Sequence, residues 1–307
     1  MKLAKTLTGI SVVALSALTL AACGSSSSSK DSSSSKATSS KVAKKSSSSS
    51  AKAKQVAGGA LKDGTYKLDE LGYSHGYKVQ MALTVKNGKV ADTSYDYVNK
   101  DGKSKTKDAD YEKQMKAKVK TGPKEYIPEL NKSFKKNGVN TDAIDVVSGA
   151  TESSLTFKNY AAQLVQAAQA GNTKTIQIHN TAKMQDGTYS LAEKNYSHGY
   201  RVVFSIVVKG GKITESQYDN VDKNGKSKTQ DTSYEKQMKK VNKVGPVEYT
   251  KTLNDALVKT QNPAEVDVVS GATESSTTFI GYAQQLINAA QAGNTAKITV
   301  DNIVYGE

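Results

Sequence analysis

The sequence contains a single cysteine, no tryptophan and only three histidines among its 307 residues. One cysteine excludes an intrachain disulfide, a zinc site built from several cysteines, an iron–sulfur cluster held by four thiolates and a CxxCH haem attachment. Three histidines offer little further capacity for metal binding, so we expect no metal site. If the protein handles electrons, an organic group or one bound in some other way must carry them.

The chain also lacks an apolar run long enough to span a bilayer comfortably. Its most apolar stretch, Ile10–Leu20, follows the cations Lys2 and Lys5 and ends in small residues before Cys23. This order predicts a signal peptide over residues 1–22. Cys23 stands where a bacterial lipobox places its lipidated residue, and the alternative is a chance cysteine behind an ordinary signal peptide. Two fatty chains on Cys23 would anchor the protein stably to the outer face of the cell membrane.

Residues 23–57 are mostly serine, lysine and alanine. Almost no side chain in this stretch could offset the entropy lost on ordering, so the composition predicts a disordered linker. Seven lysines against one aspartate make it basic, within a chain of net charge +14. This charge fits either binding to anionic wall polymers and lipid head groups or a simple solvated spacer.

The rest of the chain consists of two similar sequence repeats. The tetrapeptide DGTY begins at Asp63 and again at Asp186, and further matches recur at an interval of 122 to 123 residues. This interval is longer than the 20 to 50 residues typical of solenoid repeats, which indicates duplication of a whole domain. We therefore predict one domain over residues 58–182 and a second over residues 183–307.

Each copy has the pattern of a compact α+β domain, with a small antiparallel sheet and packed helices. In the first copy, the alternating run Tyr77–Val85 predicts a strand, and Asn87-Gly88 predicts a hairpin to a partner strand. Two helices should follow the hairpin. Apolar residues spaced as one helix face then begin at Phe157, and this third helix should end at Gly171 before a short last strand. The second copy repeats this order.

The ten residues DVVSGATESS occur at Asp145–Ser154 and again, unchanged, at Asp267–Ser276, although the flanking residues differ. Their central glycine and alanine let another backbone or a bulky group approach closely. Thr151 stands just before the third helix, whose N-terminus favours an anion, and Ser153 or Ser154 can cap that helix. An exposed threonine hydroxyl at such a helix end suits a phosphodiester attachment. The alternative is an ordinary tight turn between a strand and a helix.

This decapeptide resembles the flavinylation motif of FMN-binding domains, including the FMN-carrying subunit of sodium-pumping quinone reductase. In that family a flavin transferase moves FMN from FAD onto the hydroxyl of the threonine that closes the motif. The resemblance implies one FMN on Thr151 and another on Thr273, each joined through a phosphodiester. It also implies cofactor-binding roles for the residues that lead each motif and fill its turn: Asp145, Ser148, Gly149, Ala150, Asp267, Ser270, Gly271 and Ala272.

The whole chain resembles the two-domain FMN-binding lipoproteins of Gram-positive extracellular electron transfer, also known as pheromone-precursor lipoproteins. The lipobox, the linker, both DGTY segments, both Gly-Pro-x-Glu-Tyr segments and both decapeptides carry this resemblance. It implies an electron-transfer flavoprotein rather than a self-contained catalyst, with no nucleic-acid partner. Electrons would pass from a membrane quinone-linked NADH dehydrogenase to extracellular acceptors. One departure is that Tyr77 and Tyr200 stand where relatives often have tryptophan.

Other repeated residues are weaker candidates. His75 and His198 either hydrogen-bond a flavin and titrate near neutral pH or lie on a hairpin surface. The GKSKT segments at Gly102–Thr106 and Gly225–Thr229 lack the glycine spacing of a phosphate-binding loop and are predicted to be solvated loops. Four tyrosines belong either to the flavin contact or to the core: Tyr66, Tyr126, Tyr189 and Tyr249.

Two other function classes fit the same chain. The duplicated domains could bind a wall polymer or a surface partner without any cofactor. Alternatively, the mature protein could be incidental to a peptide pheromone cut from Val13–Ala22 of the signal. A yellow colour that survives denaturation would separate the flavoprotein from both alternatives.

Overall fold

The computed structural model of the chain describes residues 54–306. The predicted signal peptide, Cys23 and the linker up to residue 53 lie outside the described residues. Within this range, the chain forms two copies of one α+β repeat, which confirms the predicted fold class. A short strand, β1 (Gln55–Ala57), precedes them.

The first repeat comprises β2 (Gly64–Glu70), β3 (Lys78–Lys86), β4 (Lys89–Val98), α1 (Ala109–Val119), α2 (Pro123–Asn137), α3 (Thr151–Ala170) and β5 (Ile176–Ile178). The second comprises β6 (Gly187–Glu193), β7 (Arg201–Lys209), β8 (Lys212–Val221), α4 (Thr232–Asn242), α5 (Pro246–Thr260), α6 (Thr273–Ala292) and β9 (Ile298–Val300), and β10 (Val304–Tyr305) follows it.

Each repeat is built on a four-stranded sheet, with strand orders β4-β3-β2-β5 and β8-β7-β6-β9. The last strand of each sheet runs parallel to its neighbour, and the other pairs are antiparallel. The predicted hairpin lies between β3 and β4. Asn87 and Gly88 both have positive φ, at 52° and 67°, as a two-residue turn of this hand requires. The carboxylate of Asp63 accepts hydrogen bonds from both of their N–H groups at 2.9 Å, which fixes the turn.

The helices cover one face of each sheet and enclose a separate core in each repeat. In the first repeat, α3 buries the predicted apolar face, with Phe157 and Leu164 fully enclosed against Leu68 of β2 and Val79 of β3. Each such side chain stabilises the fold by roughly 1.5–3 kcal/mol relative to exposure. The helix therefore stays fixed along its length, and the decapeptide at its N-terminus is held by a rigid element.

The Gly-Pro pair between the first two helices opens the second helix of each repeat. Helix α1 ends at Val119, and Lys120 caps it in the left-handed conformation with φ of 67°. Pro123 is the first residue of α2, where the missing N–H of proline removes no helical hydrogen bond. The same arrangement recurs at Lys243 and Pro246 in the second repeat.

The linker prediction is wrong for residues 55 to 57. These residues form β1, which pairs antiparallel with β10 near the C-terminus. Gln55-Val56-Ala57 is too short to give a strand signal of its own, and β1 is paired with a segment almost the whole chain away. The domain boundaries at residues 58, 182 and 183 stay a prediction.

The two repeats lie in one compact unit and contact each other directly. The amide oxygen of Asn288 in α6 accepts hydrogen bonds from Asn159 at 3.0 Å and Gln163 at 3.2 Å, both in α3. Leu155 of α3 packs against the core of the second repeat. Among residues 54–306, no helix has the length and apolar content needed to cross a membrane.

Candidate cofactor site

Both decapeptides form the turn that leads into the last helix of their repeat. Thr151 and Thr273 are the first residues of α3 and α6, one position further into the helix than the sequence suggested. Both threonines are exposed. Ala150 and Ala272 occupy the capping positions, and no side chain accepts a hydrogen bond from the helix start. Each repeat thus presents one accessible threonine hydroxyl at an uncapped helix N-terminus.

The glycine of each decapeptide is required twice over. Gly149 has φ of 78° and Gly271 has φ of 82°, a conformation that residues with a Cβ rarely adopt. A Cβ on Gly149 would also lie 2.6 Å from the carbonyl oxygen of Val119 at the end of α1, and one on Gly271 would clash with the carbonyl oxygen of Asn242. The close approach that the small residues predict is therefore made to the C-terminal end of α1 in the first repeat and of α4 in the second.

Ser154 and Ser276 hold the turn rather than cap the helix. The hydroxyl of Ser154 donates to the carbonyl of Ala150 at 2.8 Å and accepts from the N–H of Val147 at 3.0 Å, and the residue is fully buried. Ser276 makes the equivalent bonds at 2.9 and 3.1 Å. Ser153 accepts from the Tyr97 hydroxyl at 3.2 Å instead of capping the helix. The capping roles suggested by the sequence are wrong, and the buried serines are inaccessible to a modifying enzyme.

The helix start has the chemistry to hold a phosphate. The first N–H groups of a helix have no partner within it, and the helix dipole places partial positive charge there. In α3 and α6, which have 20 residues each, no side-chain cap hydrogen bond occupies this end, and one exposed glutamate, Glu152 or Glu274, lies in the first turn. A phosphate joined to the hydroxyl of Thr151 or Thr273 would lie beside these groups, so the residues present fit a phosphodiester.

The GKSKT segments bring a lysine into a cluster of tyrosine rings, contrary to the solvated loops that we predicted. Lys105 is only 7% exposed, and its ammonium lies 4.0 Å from the ring centre of Tyr111 and 4.6 Å from that of Tyr97. Lys228 lies 4.1 Å from the ring centre of Tyr234 in the second repeat. Such cation–π contacts stabilise a lysine ammonium that is partly removed from water.

Tyr77 and Tyr200, which stand at the tryptophan position of relatives, attach this cluster to the next helix. The Tyr77 hydroxyl donates to Asp108, the N-cap of α1, at 2.5 Å, and Tyr200 donates to Asp231 at 2.7 Å. The hydrogen bond to Asp108 raises the pKa of Tyr77 to about 12. Each tyrosine therefore joins its cluster to the N-terminus of the next helix.

The two repeats differ at one position beside the threonine. Tyr97 at the end of β4 packs edge-on against Tyr95, with ring centres 5.4 Å apart, and reaches Ser153 through its hydroxyl. The corresponding residue of β8 is Asn220, which has no ring to fill this space. The equivalent of Tyr95, Tyr218, stays buried in the second core.

A cavity of about 530 Å³ lies beside Thr273. In the second repeat its wall includes Thr273, Asn220, Tyr234 and Tyr249, and the first repeat contributes residues that include Leu155 and Lys158. We call this space the inter-repeat cavity. Its volume falls within the roughly 300–1,000 Å³ common for ligand pockets, and its aromatic lining suits a flat ring system.

The sequence analysis missed one buried carboxylate in each repeat. Glu70 ends β2 and Glu193 ends β6, and burial raises the pKa of both carboxyls. Glu193 lines the inter-repeat cavity. The signal was present, because Tyr66, Leu68 and Glu70 alternate along the inward face of β2. A glutamate at an otherwise apolar position of the alternating pattern, found in both copies, indicates a buried carboxylate with a hydrogen-bonding partner.

The remaining candidates divide between surface and core. His75 and His198 are exposed and have φ of 49° in tight turns, and His198 lines the inter-repeat cavity. Asp145 and Asp267, which open the decapeptides, are exposed, as are Ser148 and Ser270. The four repeated tyrosines are core residues, each 1% exposed: Tyr66, Tyr126, Tyr189 and Tyr249. Within residues 54–306, no group of three or more metal-ligating side chains could hold a metal ion.

Comparison with known proteins agrees with this geometry. The family model of the FMN-binding domain matches the chain twice, over residues 72–166 and 198–288, and each match includes one decapeptide threonine. A "15 kDa lipoprotein" of Treponema pallidum (strain Nichols) is 34% identical over 118 residues, which is 38% of this chain and 83% of that protein.

Two solved structures are also similar to part of the chain. A crystal structure of a protein from Clostridium perfringens is 36% identical, with a TM-score of 0.37, and covers 39% of this chain and 98% of its own. A solution structure of a protein from Clostridium thermocellum is 23% identical, with a TM-score of 0.25, and covers 35% and 93%.

Proposed function

Because the chain belongs to the FMN-binding domain family and contains that domain twice, we propose that FMN is attached covalently to Thr151 and to Thr273. The observation that carries this proposal is the repeated geometry of the two threonines. Each is exposed, each is the first residue of a 20-residue helix, and neither helix start is capped by a side chain. An ordinary turn would need no such open hydroxyl in both copies.

The attachment reaction is the one that the family resemblance implies, a transfer of FMN from FAD. The threonine oxygen attacks the FMN phosphorus of FAD, the bond from that phosphorus to the AMP half breaks, and AMP leaves. The hydroxyl proton passes to a base of the flavin transferase, so the exchange involves no oxidation or reduction. Gly149 and Ser154 hold the turn that exposes Thr151, and the helix N–H groups stabilise the phosphate charge that remains.

Bound FMN would supply one- and two-electron transfer that no side chain of this sequence provides. The protein is then an electron carrier, and a covalent bond prevents loss of the group outside the cell. We propose a membrane quinone-linked NADH dehydrogenase as electron donor and extracellular compounds as acceptors.

A lipid anchor at Cys23 would hold the carrier at the outer face of the membrane. The relative from Treponema pallidum is named a lipoprotein, and Cys23 follows a predicted signal peptide. Cys23→Ala should release the protein from the membrane without changing its FMN content. Retention of this variant after a high-salt wash would argue against the anchor.

The experiment that tests the flavoprotein itself is production of the chain with and without a flavin transferase. With the transferase, the denatured protein should stay yellow and its mass should increase by two FMN groups less two waters. Without the transferase, no covalent flavin should be found. Colourless protein under both conditions would favour a surface-binding role instead.

A further inference from the structure

Of the two attachment threonines, Thr273 lines the inter-repeat cavity and Thr151 does not, and both repeats contribute described residues to its wall. Thr273 and Glu274 line this cavity, and so do Asp142, Leu155 and Lys158 of the first repeat. The inference below rests on the proposed attachment of FMN to Thr273. It concerns which residues surround that FMN.

Lys158 is the cation that the first repeat contributes. Its ammonium donates to the carbonyl oxygen of Asp142 at 3.0 Å. Among the described residues, no carboxylate lies within ion-pair distance of it, and a lysine ammonium has three donors. Burial lowers the pKa of Lys158, and the negative charges of Asp142 and Asp145 act in the opposite direction. Lys158 is therefore a half-buried cation with donors to spare.

The cavity wall around Thr273 also carries carboxylates of both repeats, and Lys228, the lysine of the second repeat in this wall, lies over the rings of Tyr200 and Tyr234. Glu193, Asp142 and Glu274 all line the cavity; burial raises the pKa of Glu193, and the negative charges of Asp142 and Glu274 act in the same direction. A phosphodiester on Thr273 adds one more negative charge to this region. A desolvated anion among carboxylates is unfavourable unless a cation accompanies it. Lys158 is a cation of the first repeat in the same cavity wall.

The second repeat lacks the equivalent of Lys158, so it offers no such cation to the first attachment site. The residues of the second repeat that correspond to Asp142 and Lys158 are Ala264 and Ile280, and neither carries a charge. Ile280 is buried in the second core. The duplication therefore retained the decapeptide but not the lysine, as expected if the lysine serves only one of the two sites.

We propose that the FMN on Thr273 is held between the two repeats, with Lys158 of the first repeat as the cation that faces its phosphodiester. The FMN on Thr151 has only its own repeat around it. The two flavins are then chemically unlike, and the second responds to changes in the first repeat. Lys158 is a positioning residue for a group attached 115 residues further along the chain.

Phosphorus NMR of the fully flavinylated protein tests this directly. Wild type should show two phosphodiester resonances, assigned by their loss in Thr151→Ala and Thr273→Ala. Lys158→Met should shift the Thr273 resonance by more than its line width and leave the Thr151 resonance in place. Lys158→Arg should restore most of the wild-type position, because it keeps the positive charge.

The control is Lys132→Met, which removes one charge from an exposed site of the first repeat outside the cavity and should move neither resonance. Unfolding curves of each variant establish that the repeats remain folded. If the Thr273 resonance does not respond to Lys158→Met, or the Thr151 resonance responds equally, the inference is wrong although flavinylation is real. If intact mass shows no FMN at all, the proposed function fails instead.

Discussion

The hydroxyl of Tyr160 in α3 donates a 2.6 Å hydrogen bond to the buried carboxylate of Glu70 in β2. The other carboxylate oxygen accepts from the N–H of Val79 at 2.8 Å. Tyr282 and Glu193 form the same pair at 2.7 Å in the second repeat. One carboxylate per repeat therefore ties the helix that begins at the attachment threonine to the central strands of the sheet.

Removing the Tyr160 hydroxyl should be costly. Tyr160→Phe leaves one oxygen of a buried carboxylate without its donor, and we expect the free energy of unfolding at neutral pH to fall by about 1–3 kcal/mol. Urea unfolding measures this loss. Tyr196→Phe is the control, because Tyr196 is exposed and should change stability by less than about 0.5 kcal/mol. Equal effects of the two variants would contradict the assigned role.

The buried carboxyls should also give the protein a recognisable pH dependence. Burial raises the folded-state pKa of Glu70 and Glu193 above the ordinary glutamate value of 4.5, so the folded state holds protons that the unfolded state has released. Stability should therefore decrease as pH rises from about 4.5 through the folded pKa, and then level off.

Glu70→Gln and Glu193→Gln should each remove part of that decrease. Unfolding free energies measured between about pH 4 and pH 7 test this. An unchanged slope in the double variant would mean that these carboxyls are not the titrating groups.

Ser154 should be more important for stability than its exposed neighbour in the motif. Ser154→Ala leaves the partly buried N–H of Val147 without its acceptor, and we expect a loss of about 1–3 kcal/mol. Ser148→Ala changes an exposed side chain and should stay within about 0.5 kcal/mol of wild type. Flavin should still attach to Thr151 in folded Ser154→Ala. A missing flavin in that folded variant would point to Ser154 as the acceptor.

Each half of the chain should fold alone. Each repeat has its own sheet and its own core, so fragments 58–182 and 183–307 should be soluble and unfold cooperatively. The second fragment loses the pairing of β10 with β1 and the contact with Leu155, so its stability should be lower than in the full chain. A half that stays molten while the full chain folds would show that the boundaries are misplaced.

The elements of each repeat were predictable because their signals are local. Asn87-Gly88 determines its own turn, and the apolar face from Phe157 is readable over one helix. Pairings between residues far apart in the sequence give no such local signal. Tyr160 and Glu70 are 90 residues apart, and nothing near Gln55 indicates that it pairs with Tyr305.

The candidate site divides in the same way. The decapeptide located the threonines, because a repeated motif in changed surroundings is visible in the sequence alone. The sequence predicts a solvated loop around Lys105, because the tyrosines that surround its ammonium come from other segments. These are Tyr97 of β4 and Tyr111 of α1. Lys158 had no signal at all, since its place in the wall of the inter-repeat cavity depends on how the two repeats pack.

The most direct test of the account is peptide mapping of the flavinylated protein together with intact mass of three variants. Wild type should carry two FMN groups, on the peptides that contain Thr151 and Thr273. Thr151→Ala and Thr273→Ala should each carry one, and the double variant should be folded and colourless. If the double variant still carries two FMN groups, or if the groups map to the neighbouring serines, the threonines are not the attachment residues and the central claim is wrong.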